Sequence, residues 1–184
     1  MTRIRRETRE TRVQLGVKRG EGTGTVTTDD QFLTHMVETL GRYAGVVIDL
    51  EAAGDLRHHL VEDVAITLGT ALLDLVPEQA VRYGTATVPM DDALVTASVD
   101  VGGRPYYVGP LPSGLYQHFL QSIAVHLKAT LHVRVIRGKD KHHIVEAAVK
   151  ATGLALRQAM AKGDGGGVFS TKGTVNFSRL TEKG

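Results

Sequence analysis

The amino-acid sequence predicts an α+β fold built from two copies of a ββαβα unit. Three observations carry that expectation. The segment HHLVEDVAITLGTAL (58–72) aligns with HHIVEAAVKATGLAL (142–156) at a constant offset of 84, with identity at seven of fifteen positions, and self-similarity at a fixed spacing marks a repeated structural unit. A histidine precedes each copy at nearly the same interval: His35 lies 23 residues before His58, and His118 lies 24 before His142. Strand-like and helix-like periodicities then recur in the same order in both halves.

In the first half Val13, Leu15 and Val17 alternate as on a half-buried strand, and a Gly/Thr-rich stretch leads to a second strand. Phe32, Met36, Leu40 and Ala44 recur at helical spacing, and Gly45 ends that run. The β-branched segment VVIDLEA reads as a strand, Gly54 and Asp55 give a turn, and a helix begins near His58 and closes before Pro77. In the second half Val95, Ala97, Val99 and Val101 form a strand with Gly102-Gly103 as its turn. Leu115, Phe119, Ile123 and Leu127 mark a helix, Leu131, Val133 and Val135 a strand, and the last helix runs from near His142 to about Lys162. The organisation is therefore a first half at 1–80, a second at 81–162, and a Gly-rich connector with a C-terminal tail at 163–184.

Composition narrows the class. With 42% hydrophobic and 23% charged residues and no apolar run of membrane-spanning length, the chain reads as soluble. The basic N-terminus has no apolar segment behind it, so no secretory signal is expected and the expected location is cytoplasmic. A net charge of +2 argues against a nucleic-acid partner. Arg3, Arg5, Arg6, Arg9 and Arg12 do cluster, but Glu7 and Glu10 interleave them, and the stretch reads as a solvated first strand. Without cysteine, a metal here must be held by imidazole, carboxylate or backbone oxygen.

Residues four apart share a helix face, so His58 with Glu62 and His142 with Glu146 can each bind a metal ion. His59 and His143 lie about 100° around the helix and point elsewhere, which suits a second metal completed by His35 and His118. Two ions would share these eight ligands, and a mixed nitrogen and oxygen set fits manganese, iron, cobalt, nickel or zinc. Helix N-termini disfavour protonation of imidazoles placed there, and ligation needs the neutral ring. His126 and His132 fall outside the repeated set and read as packing or surface residues. Arg82, Arg104, Lys150 and the Ser170-Thr171-Lys172 run after a glycine stretch have the composition of an anion clamp.

In order, the motifs are RxTxET (Arg6, Thr8, Glu10, Thr11), HM (His35, Met36), HHxVED (His58 to Asp63), GRP (Gly103 to Pro105), HHxxEAxxK (His142 to Lys150) and STKG (Ser170 to Gly173). As a set they resemble the imidazoleglycerol-phosphate dehydratase family over nearly the whole chain. The pattern departs from that family at Thr34, Thr39, Tyr43 and Asp140. The resemblance implies a duplicated fold of the ribosomal protein S5 domain 2 type, self-associated into a 24-subunit cage with metal sites at subunit contacts. It implies two manganese ions per active site, one on positions matching His58, Glu62, His142 and Glu146, the other on His35, His59, His118 and His143. It further implies substrate contacts at Glu10, Arg82, Arg104, Lys150, Ser170, Thr171 and Lys172, with Glu10 as the catalytic acid/base.

The implied activity is a metal-dependent hydro-lyase step in histidine biosynthesis, imidazole glycerol phosphate losing water to give imidazole acetol phosphate. Two other readings are compatible with the same residues: a paralogous lyase acting on another phosphorylated azole, and a metal-assembled cage protein without turnover.

Overall fold

The computed structural model describes residues 1–22 and 24–163, so the STKG tail lies outside the described residues. The element order is β1 (Thr2–Glu7), β2 (Thr11–Arg19), β3 (Val26–Thr28), α1 (Gln31–Ala44), β4 (Val46–Gly54) and α2 (Arg57–Leu73). It continues with β5 (Tyr83–Met90), β6 (Ala93–Val101), β7 (Tyr106–Val108), α3 (Gly114–His126), β8 (Ala129–Arg137) and α4 (Lys141–Ala159). The fold is α+β, and the repeat is visible in its topology. One four-stranded sheet has the order β1-β2-β4-β3 and the other β5-β6-β8-β7, each with its short third strand parallel to the fourth.

Each half carries the expected ββαβα order with a further strand in front, β1 or β5. β1 is the solvated arginine-bearing strand, and β5 is a finding. Its sequence YGTATVPM contains Pro89 and few large apolar residues, which suits an edge strand that buries little. α4 stops at Ala159 rather than near Lys162, because Ala159 and Ala161 give their carbonyls to Arg82 and Val81, and Lys162 bridges to Ala80.

Each sheet buries one face. Val13, Leu15 and Val17 of β2, and Val95, Ala97, Val99 and Val101 of β6, point to the helices and are at most 4% exposed. α1 begins where the Asp30 carboxylate accepts the Leu33 amide at 2.9 Å and ends at Gly45, whose φ of 67° is the left-handed turn glycine adopts without strain. α4 begins where the Asp140 carboxylate accepts the His142 amide at 2.7 Å. An aspartate caps as well as an asparagine, so the departure at 140 preserves this helix start.

The helices pair across the two halves, α1 on α4 and α2 on α3. Each pair approaches closely at one glycine. A Cβ on Gly153 would lie 2.7 Å from Tyr43 Cβ in α1, and one on Gly69 would lie 2.7 Å from the Ile123 carbonyl oxygen in α3. Gly69 and Gly153 are the same position of the repeat, which accounts for glycine being among its identities.

Candidate metal centre

The pairing of α1 with α4 decides which ligands meet. His35, one turn into α1, faces the start of α4, where His142 and Glu146 lie one turn apart. His35 Nε2 and His142 Nε2 stand 3.2 and 3.1 Å from Glu146 Oε2, and the three residues place their donor atoms within 4.8 Å of one another. The pairing of α2 with α3 builds the counterpart. His118 Nε2 lies 3.3 Å from Glu62 Oε1 and His58 Nε2 lies 3.7 Å from Glu62 Oε2. The rings stack within each group, at 6.4 Å for His35 and His142 and 5.6 Å for His58 and His118.

Each group therefore takes one histidine from one half and a His/Glu pair from the other. Within one chain this grouping differs from the sets the resemblance implies for sites at subunit contacts. Within one chain His58 and Glu62 do not meet His142 and Glu146, because α2 and α4 pack on different partners. Nor do His35, His59, His118 and His143 gather.

The donors fit a divalent transition metal. His118 Nε2 is buried, and although Glu62 Oε1 stands 3.3 Å away the two are not aligned for a hydrogen bond, an arrangement that costs free energy unless something binds the nitrogen. Both sets are two imidazoles and a carboxylate, with no thiolate. Glu146 is buried, which pushes its carboxyl up, but Lys150 at 2.8 Å and His35 outweigh that and hold it below its ordinary value. It is thus a carboxylate ready to ligate.

His59 and His143 turn away from both groups, each toward carboxylates of its own. His59 Nδ1 is 3.0 Å from Asp55 Oδ1 and 3.5 Å from Glu10 Oε2. His143 Nδ1 is 2.8 Å from Asp92 Oδ1, and its Nε2 is 3.3 Å from Asp91 Oδ2. Both histidines are held above their ordinary value, His59 by Asp55 first and His143 by Asp92 first. Asp92 itself is lowered to about 2 by His143 and by the Lys139 and Asp140 amides. Reasoning from sequence missed these partners, although Asp55, one helical turn before His59, carried the same i, i+4 signal as the ligand pairs.

Among the described residues, the expected substrate residues do not converge within the chain. Glu10 sits exposed in the β1–β2 turn beside His59. Arg82 precedes β5 and forks onto Asp100 at 2.6 and 3.1 Å, which raises its already high value. Arg104 is exposed in the turn after β6. Strand β6, about 30 Å long at ~3.4 Å per residue, runs between that end and the Asp92–His143 end. Lys150 lies next to Glu146, over the Tyr43 ring at 5.7 Å. A cavity of about 340 Å³ opens beside His35, Glu146 and Lys150, and the departures Thr39 and Tyr43 are on its wall. Ser170, Thr171 and Lys172 lie outside the described residues. His126 gives Nδ1 to the Ser122 carbonyl, and His132 lies on the outer face of β8 near Tyr106, both apart from the donor groups.

The family model for imidazoleglycerol-phosphate dehydratase matches residues 28–156, a span that holds every residue of the two histidine/glutamate groups. The chain belongs to the imidazoleglycerol-phosphate dehydratase family. A dehydratase is a lyase, and the chain is an enzyme of that class. The imidazoleglycerol-phosphate dehydratase of Pyrobaculum arsenaticum is 47% identical over 92% of this chain and 98% of its own, and that of Clostridium botulinum is 38% identical over 95% and 98%. A crystal structure of the Pyrococcus furiosus dehydratase in complex with (S)-C348 superposes with a TM-score of 0.81 at 41% identity, covering 94% of this chain and 100% of that one. The Staphylococcus aureus dehydratase superposes with a TM-score of 0.79 at 30% identity, over 88% and 98%. Among the described residues no helix is long and apolar enough to cross a membrane.

Proposed function

We propose that the chain converts imidazoleglycerol phosphate to imidazoleacetol phosphate and water, a step of histidine biosynthesis, at sites that hold two manganese ions and form between subunits of a 24-subunit cage. The observation that carries this reading is the pair of reciprocal three-donor groups, His35 with His142 and Glu146, and His58 with Glu62 and His118. Three donors leave a tetrahedral or larger shell incomplete. His59 and His143 are turned away from both groups and join neither, so they are left to serve as the missing ligands of a neighbouring chain's groups. The wide separation of Arg82 and Arg104 from His143 also favours a site assembled from more than one chain.

The hydrogen on C2 of the glycerol side chain is not acidic by itself, so the imidazole ring, having given up its N–H proton, must donate electrons to expel the adjacent hydroxyl, which takes up a proton and leaves as water. A divalent metal held by His35, His142 and Glu146, and another by His58, Glu62 and His118, would supply Lewis acidity to the reaction. The chain's own residues do the rest. Glu10, exposed and beside His59, transfers the C2 proton. Arg82, Arg104, Lys150, Ser170, Thr171 and Lys172 grip the phosphate and fix the side-chain conformation in which elimination occurs. The resulting enol tautomerises to the ketone.

The test is formation of imidazoleacetol phosphate by purified, manganese-loaded protein, with loss of activity on chelation and recovery on manganese return. Metal-loaded, assembled protein that yields no product would overturn the reading in favour of another phosphorylated azole as substrate, or of a cage without turnover.

A further inference from the structure

The HHxVED motif ends in Asp63, which joins neither donor group. It follows Glu62 on α2, about 100° around the helix, so Glu62 faces α3 while Asp63 faces the β1–β2 hairpin. Asp63 is 8% exposed, and its two carboxylate oxygens are engaged from different strands. Oδ1 accepts Arg6 Nε at 2.8 Å, and Oδ2 accepts the Thr11 hydroxyl.

The relay continues to the turn. Thr11 has one hydroxyl proton and gives it to Asp63, so across the 3.1 Å contact between the Thr8 and Thr11 hydroxyls Thr8 is the donor. The Thr8 oxygen is left to accept the Glu10 amide at 3.1 Å and the Thr11 amide at 3.0 Å. The Glu10 carbonyl accepts the Asp55 amide at 3.0 Å. Both backbone groups of Glu10 are thus fixed while its carboxylate stays exposed, 3.5 Å from His59 Nδ1. This accounts for Arg6, Thr8 and Thr11 of the RxTxET motif as the framework around its Glu10.

We propose that Asp63 is a positioning residue for Glu10: it locks the turn that carries Glu10 to the helix that carries His58 and Glu62, so that acid/base group and metal ligands keep one relative placement. The proposal rests on the catalytic role assigned to Glu10 above.

Asp63→Asn removes the charge facing Arg6 and disturbs the proton order at Thr11. In manganese-loaded enzyme we expect kcat to fall by about a hundredfold, the order of loss that follows misplacement of a reacting group, with KM, metal content and particle size nearly unchanged. In a Glu10→Gln background the same substitution should cost about twofold or less, because the two residues act as a unit. Amide exchange at Glu10 and Thr11 should quicken. Should Asp63→Asn not fold, Thr11→Val breaks the relay while leaving the Arg6–Asp63 pair, and Thr11→Ser should restore kcat. Losses that simply add in the double variant, or unchanged exchange at the turn, overturn the proposal. Faster exchange together with full turnover in Glu10→Gln instead places the fault with the role given to Glu10.

Discussion

Glu146 has to remain ionised while 6% exposed, and the chain achieves this by surrounding it with His35, His142 and Lys150 rather than by leaving it in water. Replacing it by glutamine keeps the shape and removes the charge, so Glu146→Gln should lose metal and activity together. Glu10→Gln, which touches neither donor group, should retain its metal and lose turnover by orders of magnitude. Elemental analysis beside the product assay separates the two variants, and near-normal turnover in Glu10→Gln would show that another group moves the proton. The candidate donors could be picked out in the sequence because a histidine and a glutamate four apart share one helix face, and chance seldom repeats that pair in register. Their partners were not legible. Local spacing fixes which face of its own helix a side chain occupies, but not which other helix that face meets. Spacing alone therefore groups His35 and His118 in one set, whereas within one chain they join two different ones.

At the scale of elements, the close approach at Gly153 and Gly69 sets the distance between the donors. Gly153→Ala forces a methyl against Tyr43 and the α1 backbone, at a cost of about 1–3 kcal/mol. We expect it to weaken metal binding at the His35 group and spare the other, with Gly69→Ala doing the reverse. Metal titrations of the two variants check this, and equal weakening of both sites would refute it. Asp30 supports α1 through Leu33 and pairs with Arg57. Burial pushes its carboxyl up, but these contacts win and hold it below its ordinary value. Its contribution is therefore present above the unfolded carboxyl value near 4 and is lost as pH falls through the lower folded one. Asp30→Ala should cost metal-free protein about 1 kcal/mol near neutrality, and the Tm difference should shrink as pH falls below the unfolded carboxyl value. Helices and central strands could be read because they bury regular apolar stripes. β5 could not, since an edge strand of Thr, Ala and Pro leaves almost no periodic signal.

For the whole molecule we expect two transition-metal ions per chain, and a chelator that removes them should split the particle into small species that manganese rebuilds. Light scattering with metal analysis decides this, and an unchanged particle after verified metal removal would place the sites within single chains. Without metal, His59 and His143 favour the protonated form. That stabilisation is complete below the unfolded value near 6.5 and fades as pH rises through the raised folded values. Ligation demands the opposite state, so manganese uptake near neutrality should release protons, and acidification to about pH 6 or below should act like the chelator. The crossing of the helices has one more consequence. No donor of either group comes from the 74–82 segment that joins the halves, and neither half owns a whole group. The molecule is, in effect, a dimer whose two subunits happen to share a peptide bond. Cut between Glu78 and Gln79 and produced as two polypeptides, the halves should bind manganese when mixed, and neither should do so alone.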